Sequence, residues 1–535
     1  MRGFALVNGH IYVSFKPTLS VESAVIVENR VAYVGGEAGA LSRSRTLGLE
    51  TIDLDGKTVL PGFIDAHMHL DSLGTYLNTL DLRGVRSIGE VKTRLRSYAA
   101  KCSVNWILGR GWDQELLEEK RYPTRWDLDD AVCDRPVVLS RVCGHVAVVN
   151  TRALELTGLM RTSTPGILKD NAGHPTGVVT RRALEIVRSR LEEQTTFEER
   201  KKLLMDGIEF SASQGVTTVG FISCCSACLK ALQELEAELG HLPVRVRIYL
   251  NPQDARAMGI QGLKRGSTFL KVNGVKLFAD GSLGARTALL SKPYSDAPDT
   301  SGYAYMDGDS LQTLIKEACK SGIQAVVHAI GDRAVENTLN AFEAVAEDTG
   351  RLRHRVDHAS VLRGDLIMAM RKLDVVVVVQ PRFLITDWWV VNRVGVERAG
   401  LVYPFKTLAE NVRLGLSTDA PVEPVNPWET VYAAVTRGRL EEIPLYKHTV
   451  KECLTLEEAL HFYTAGSAYA LLEEDELGVL SEGKLADLII VDKDPFKVPC
   501  EDVNKIRVLK TCVDGRWVFN LRGNDSSNMS RRNCP

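Results

Sequence analysis

The chain has 535 residues, with 66 Lys and Arg against 68 Asp and Glu, for a net charge of −2. That balance supplies no polycationic field, so nucleic acid is not an expected partner. Charged residues at 25% and hydrophobic ones at 44% exclude wholesale disorder, and the length allows about two to four domains, or one barrel with additions.

Residues 4 to 58 read as short strands with hairpin signals at Asn8-Gly9, Asn29-Arg30 and Asp55-Gly56. A similar texture returns in GVLSEGKLADLIIVDKDP and VLKTCVDGRWVF, and since a few strands alone are marginal, residues 1–58 and 471–520 are expected to form one β-sandwich. Between them, apolar β-branched runs alternate with helical segments, the pattern of βα units around a buried parallel sheet. The candidate strands are 59–65, 216–222, 244–250, 272–278, 323–328, 354–358, 374–379 and 412–418. Eight such strands predict an α/β fold, a (β/α)8 TIM barrel over 59–470. A doubly wound sheet is the alternative, but no GxGxxG follows any strand. Residues 81–200 are too long for one connection and predict an inserted α+β subdomain that covers the barrel mouth. A polar tail, expected to be mobile, follows from 521 to 535. No run approaches the roughly 18 apolar residues of a membrane span, and the first apolar run ends at Asn8-Gly9-His10, too early for a signal peptide. The eleven cysteines are odd in number and dispersed; Cys224-Cys225 with Cys228, and Cys133 with Cys143, lack the paired spacing of a zinc knuckle. A reduced, cytoplasmic protein without membrane partners is expected.

His67-Met68-His69 directly follows the first barrel strand. In extended chain, residues i and i+2 share a face with Cα atoms roughly 6.5 Å apart, so both imidazoles can converge on one metal. Lys276, His328, His358 and Asp419 fall at the ends of four other strands. Each alone reads as an ordinary strand-end polar residue; together they predict one site at the barrel mouth. His354 shares parity with His358 but lies about 13 Å further from the mouth, and is expected in the core. Asp332 reads as the N-cap of the next helix.

LPGFIDAHMHLD, VKLFADGSLGARTA, VVHAIGDRAV, RHRVDHASVL and LSTDAPVEPVNPW occur in this order. The series resembles the amidohydrolase superfamily, and within it amidohydrolase family 3, a branch of metal-dependent hydrolases that contains an N-substituted formamide deformylase. The resemblance covers almost the whole chain and implies a distorted TIM barrel beside a sandwich built from both chain ends. It implies that His67, His69 and Asp419 bind one metal, that His328 and His358 bind a second, and that Lys276 is a carboxylated lysine bridging the two. It implies hydrolysis of a C–N bond in a small amide, formamide or related N-acyl compound by a metal-activated hydroxide, with Asp419 as proton shuttle, and leaves room for a homodimer. Histidine and carboxylate donors suit Zn2+, with Fe, Mn and Co compatible. His145, in a GH-x(4)-N pattern that the family shares, is expected to contact substrate or an intermediate. Trp112, Asp280 and Arg286 are further candidates for shaping the pocket. Two other readings of the same residues are a deaminase of a ring amidine and a catalytically silent barrel kept for binding or assembly.

Overall fold

The stretch expected as one barrel strand at 59–65 is two strands in different sheets. Thr58–Pro61 pairs within a six-stranded sheet, while Phe63–Met68 opens the barrel. Gly62 makes the transfer possible, because a Cβ there would lie 2.3 Å from Thr217 Cγ2. A computed structural model describes residues 2–102, 104–259 and 266–521. The polar tail from 522 onward lies outside them.

The barrel strands are β1 (Phe63–Met68), β2 (Val216–Cys224), β3 (Arg245–Leu250), β4 (Leu270–Phe278), β5 (Gln324–Ala329), β6 (Arg355–His358), β7 (Val376–Val379) and β8 (Arg413–Leu416). They pair in parallel and in sequence order from β1 to β8. Their runs are apolar because both faces are covered, and all four valines of β7 are buried. Two backbone bonds join the ends of the sheet: His69 N donates to Ala420 O at 2.8 Å, and Asp419 N donates to His67 O at 2.9 Å. Below them the buried carboxylate of Asp65 on β1 accepts from the Thr418 hydroxyl at 2.6 Å and the Tyr463 hydroxyl at 3.1 Å. The barrel is thereby nearly closed.

Helices cover its outside with the spacing expected of one apolar face. Asp332–Glu343 buries Ala334, Val335, Thr338, Leu339, Ala341 and Phe342. Its N-cap is Gly331, so Asp332 is the first helical residue and not the cap. The Asp332 carboxylate is instead drawn sideways, accepting from Ser291 N at 2.8 Å and from Arg363 at 3.2 Å.

Both chain ends contribute to two further sheets. One holds Arg30–Gly35, Ser23–Val27, Gly3–Val7 and Glu50–Asp53; the other holds Arg516–Asn520, Val508–Val513, Leu488–Val491, Thr58–Pro61, His10–Phe15 and Thr18–Val21. Phe4, Leu6 and Ile26 from the first pack with Ile11, Val59, Leu488 and Ile490 from the second in one core. Arg245 of β3 is fully buried and forks onto Asp487 at 2.8 and 3.0 Å, with Asp514 also 3.0 Å away, tying barrel to sandwich.

Gly74–Leu204 forms a separate compact unit. Its six-stranded sheet runs in the order Ile167–Lys169, Pro175–Thr180, Val146–Val149, Val137–Arg141, Ile107–Trp112, Leu80–Asp81. Two apolar clusters pack on it, one around Leu82, Ile107 and Leu139, the other around Val149, Leu154 and Val179. Among the described residues no helix is long and apolar enough to cross a membrane.

Candidate metal centre

The C-terminal ends of β1, β4, β5 and β6 and the turn after β8 bring His67, His69, Lys276, His328, His358 and Asp419 together. Asp419 Oδ1 lies 3.2 Å from Nε2 of His67 and 3.2 Å from Nε2 of His69. The His358 ring centroid is 5.0 Å from that of His67 and 4.4 Å from that of His328. Donor atoms, one each from His67, His358 and Asp419, lie within 4.8 Å of one another, and all three residues are buried.

The backbone explains how these side chains meet. His354 and His358 share strand parity, yet only His358 faces the site. His354 is buried elsewhere, its Nε2 3.1 Å from Cys319 Sγ and its ring 5.3 Å from that of Phe342. His358 has φ +75°, a left-handed conformation that ends the alternation and swings its imidazole over the mouth. Asp419 is likewise left-handed at φ +61°. Strain of this kind persists where surrounding structure over-determines it, which is common at functional sites.

Asp357, which the sequence reading missed, organises one side. Its Oδ2 is 2.6 Å from His67 Nδ1 and accepts from Lys276 Nζ at 2.8 Å; Arg355 Nε donates to Oδ1 at 2.6 Å. A carboxylate at Nδ1 fixes the tautomer, so His67 presents the lone pair of Nε2 toward Asp419. The signal was present in RVDH: two alternating charges, Arg355 and Asp357, on a strand otherwise buried on both faces. Asp65 escaped notice for the same reason, as a carboxylate inside an apolar run.

Electrostatics favour metal-binding states at Asp419, His358 and His328, while at His69 burial is outweighed by the Asp419 carboxylate, which raises the pKa. Burial alone would raise the pKa of Asp419, but the His67 and His69 imidazoles hold it well below the usual carboxylate range. Burial, reinforced by the neighbouring histidines, pushes His358 well below its ordinary value, and burial with the Lys276 charge takes His328 down to about 4. Neutral imidazole and ionised carboxylate are the forms that ligate metals. Asp419 Oδ1 and His358 Nδ1 are buried without a hydrogen-bond partner of proper geometry. Orphaned acceptors converging this way fit a divalent cation.

Of the other candidates, Asp280, Arg286 and Trp112 each make bonds of their own. Asp280 is fully buried and accepts from the backbone N–H groups of Leu289, Ile330 and Gly331 at 2.8 to 3.0 Å, locking the turns after β4 and β5; burial raises its pKa to about 7. Arg286 forks onto Asp296 at 2.9 and 3.1 Å. Trp112 is fully buried in the core of the Gly74–Leu204 unit, its indole N–H donated to Leu139 O at 2.8 Å. That side chain is consumed by packing. His145 is exposed on the turn before Val146–Val149 in the same unit.

Comparison with known proteins decides the family. The model of the amidohydrolase family matches residues 50–519. The chain belongs to the amidohydrolase family. Putative amidohydrolase YtcJ of Bacillus subtilis is 31% identical over 96% of this chain and 98% of its own. N-substituted formamide deformylase of Arthrobacter pascens is 25% identical over 96% of this chain and 98% of its own. A crystal structure of an uncharacterized metal-dependent hydrolase from Pyrococcus horikoshii OT3 superposes with a TM-score of 0.84 at 41% identity, covering 93% of this chain and 99% of that one. This amidohydrolase is therefore a metal-dependent hydrolase with the barrel of its family.

Proposed function

We propose that the protein hydrolyses the C–N bond of a small amide, formamide or related N-acyl compound at the cluster of His67, His69, His358 and Asp419. The observation that carries the reading is the Asp419 Oδ1 atom, orphaned and 3.2 Å from two imidazole nitrogens. A divalent cation in this cluster, of which Zn2+ suits the donors best, would acidify water and polarise a carbonyl oxygen. Asp419, kept ionised, takes the proton from the attacking water and returns it to the leaving nitrogen. His67, clamped by Asp357, and the neutral His358 and His328 hold their lone pairs toward the reacting centre. Lys276, whose pKa burial lowers, is suited to carboxylation and hence to a second ion with His328 and His358. The C–N bond class rests on the likeness to a formamide deformylase, carried here as part of the proposal.

Assaying N-formyl, N-acyl and cyclic amide compounds, with ammonia release followed in parallel, tests the bond class. Release of ammonia from ring amidines without cleavage of any acyl compound would favour a deaminase. Asp419→Asn should lower kcat by about 10²–10⁴-fold with the fold intact. We further propose that His145 contributes to substrate recognition; His145→Ala should then raise KM, and unchanged kcat and KM would remove it from the site.

A further inference from the structure

Just past the point where Phe221 of β2 pairs with Met68, the residue between His67 and His69, the chain reads Cys224-Cys225-Ser226-Ala227-Cys228. Cys225 is the N-cap of the 14-residue helix Ser226–Leu239, and its sulfur accepts from Cys228 N at 3.3 Å. This capping bond folds the first turn so that the sulfurs of Cys225 and Cys228 lie 3.2 Å apart and share a hydrogen bond. Cys225 is half-buried and Cys228 fully buried. The Cys224 sulfur lies 3.4 Å from Cys225 O. The reversal from strand to helix is set by Ser223 in left-handed backbone at φ +57° and by a bulge between Ile222 and Cys224.

We propose that Cys225 and Cys228 form a thiol–disulfide exchange site that reacts with low-molecular-weight disulfides. A bonded pair needs sulfurs near 2.05 Å, which side-chain rotation within one helical turn can supply from 3.2 Å. The partly exposed sulfur at the helix N-terminus is the attacking group, since backbone N–H groups there favour a thiolate. The hydrogen bond shared with Cys225, together with burial, raises the Cys228 pKa and so holds its proton until the first step is complete. Cys225 thiolate attacks one sulfur of the reagent RSSR; the S–S bond breaks and RS− leaves to be protonated. Cys228 then loses its proton and attacks the Cys225 sulfur; the Cys225–Cys228 bond forms and a second RSH departs. Two thiols are oxidised and one disulfide is reduced to two thiols, so atoms and electrons balance.

The test treats the full-length protein with oxidised glutathione and maps cysteines by peptide mass. The peptide containing Cys225 and Cys228 should lose two hydrogens and carry no adduct, while exposed Cys133, Cys143 and Cys500 show adducts alone. In Cys228→Ala the glutathione adduct should remain on Cys225, and in Cys224→Ala the crosslink should still form. A stable adduct on Cys225 in the wild-type chain, or an untouched pair beside modified exposed cysteines, would overturn the proposal. Loss of the crosslink in a folded Cys224→Ala protein would overturn it as well.

Discussion

At the scale of single residues, the site depends on carboxylates with different duties. Asp419 faces the imidazole nitrogens that can ligate, and Asp357 stands behind His67 and decides which nitrogen that ring presents. Asp357→Asn keeps the shape but removes the charge shared by His67, Lys276 and Arg355. Metal affinity should fall by about 10–100-fold, as for other outer partners of ligating histidines, and equilibrium dialysis with a chromophoric chelator measures it. Affinity equal to wild type would mean that the His67 ring is oriented by packing alone. That His358 and not His354 lies beside His67 was legible in the sequence, because His358 stands nearer the strand's C-terminal end. Asp357 was not, because charge inside a buried strand is informative only once its partners are known.

At the scale of elements, β1 and β8 are joined by few backbone bonds, and Asp65 makes up the difference. It accepts from Thr418 and Tyr463, while burial raises its pKa to about 6. Asp65→Ala would strand these donors, each costing about 1–3 kcal/mol. The midpoint of chemical denaturation should fall clearly, with a smaller fall for Tyr463→Phe; an unchanged midpoint in Asp65→Ala would show that the two strands close without it. The other barrel strands were readable as apolar runs, and they fall where those runs lie. The first was misread because VLPGFI carries no polar residue, and hydrophobicity cannot reveal that Gly62 passes the chain from one sheet to another.

At the scale of the whole molecule, the candidate metal donors gather at one end of the barrel strands. Arg245 and Arg247 carry charge into the interior only because Asp487 and Glu473 meet them at 2.8 Å. The near-zero net charge thus conceals paired ions inside and a concentrated donor set at the mouth. The family and the barrel were legible from five motifs in order, since each marks a strand end. Substrate identity was not, because short motifs at strand ends mark metal-binding positions and carry no signature of the group that is bound beside them. Under the proposed function, His67, His69, His358 and Asp419 hold a catalytic divalent ion. Elemental analysis of the purified protein, before and after dialysis against Zn2+, tests it most directly, with His67→Ala and Asp419→Ala run alongside. The prediction is about one to two equivalents in the wild-type chain and a marked loss in both variants. Less than about half an equivalent, with none recovered on adding Zn2+, would contradict it.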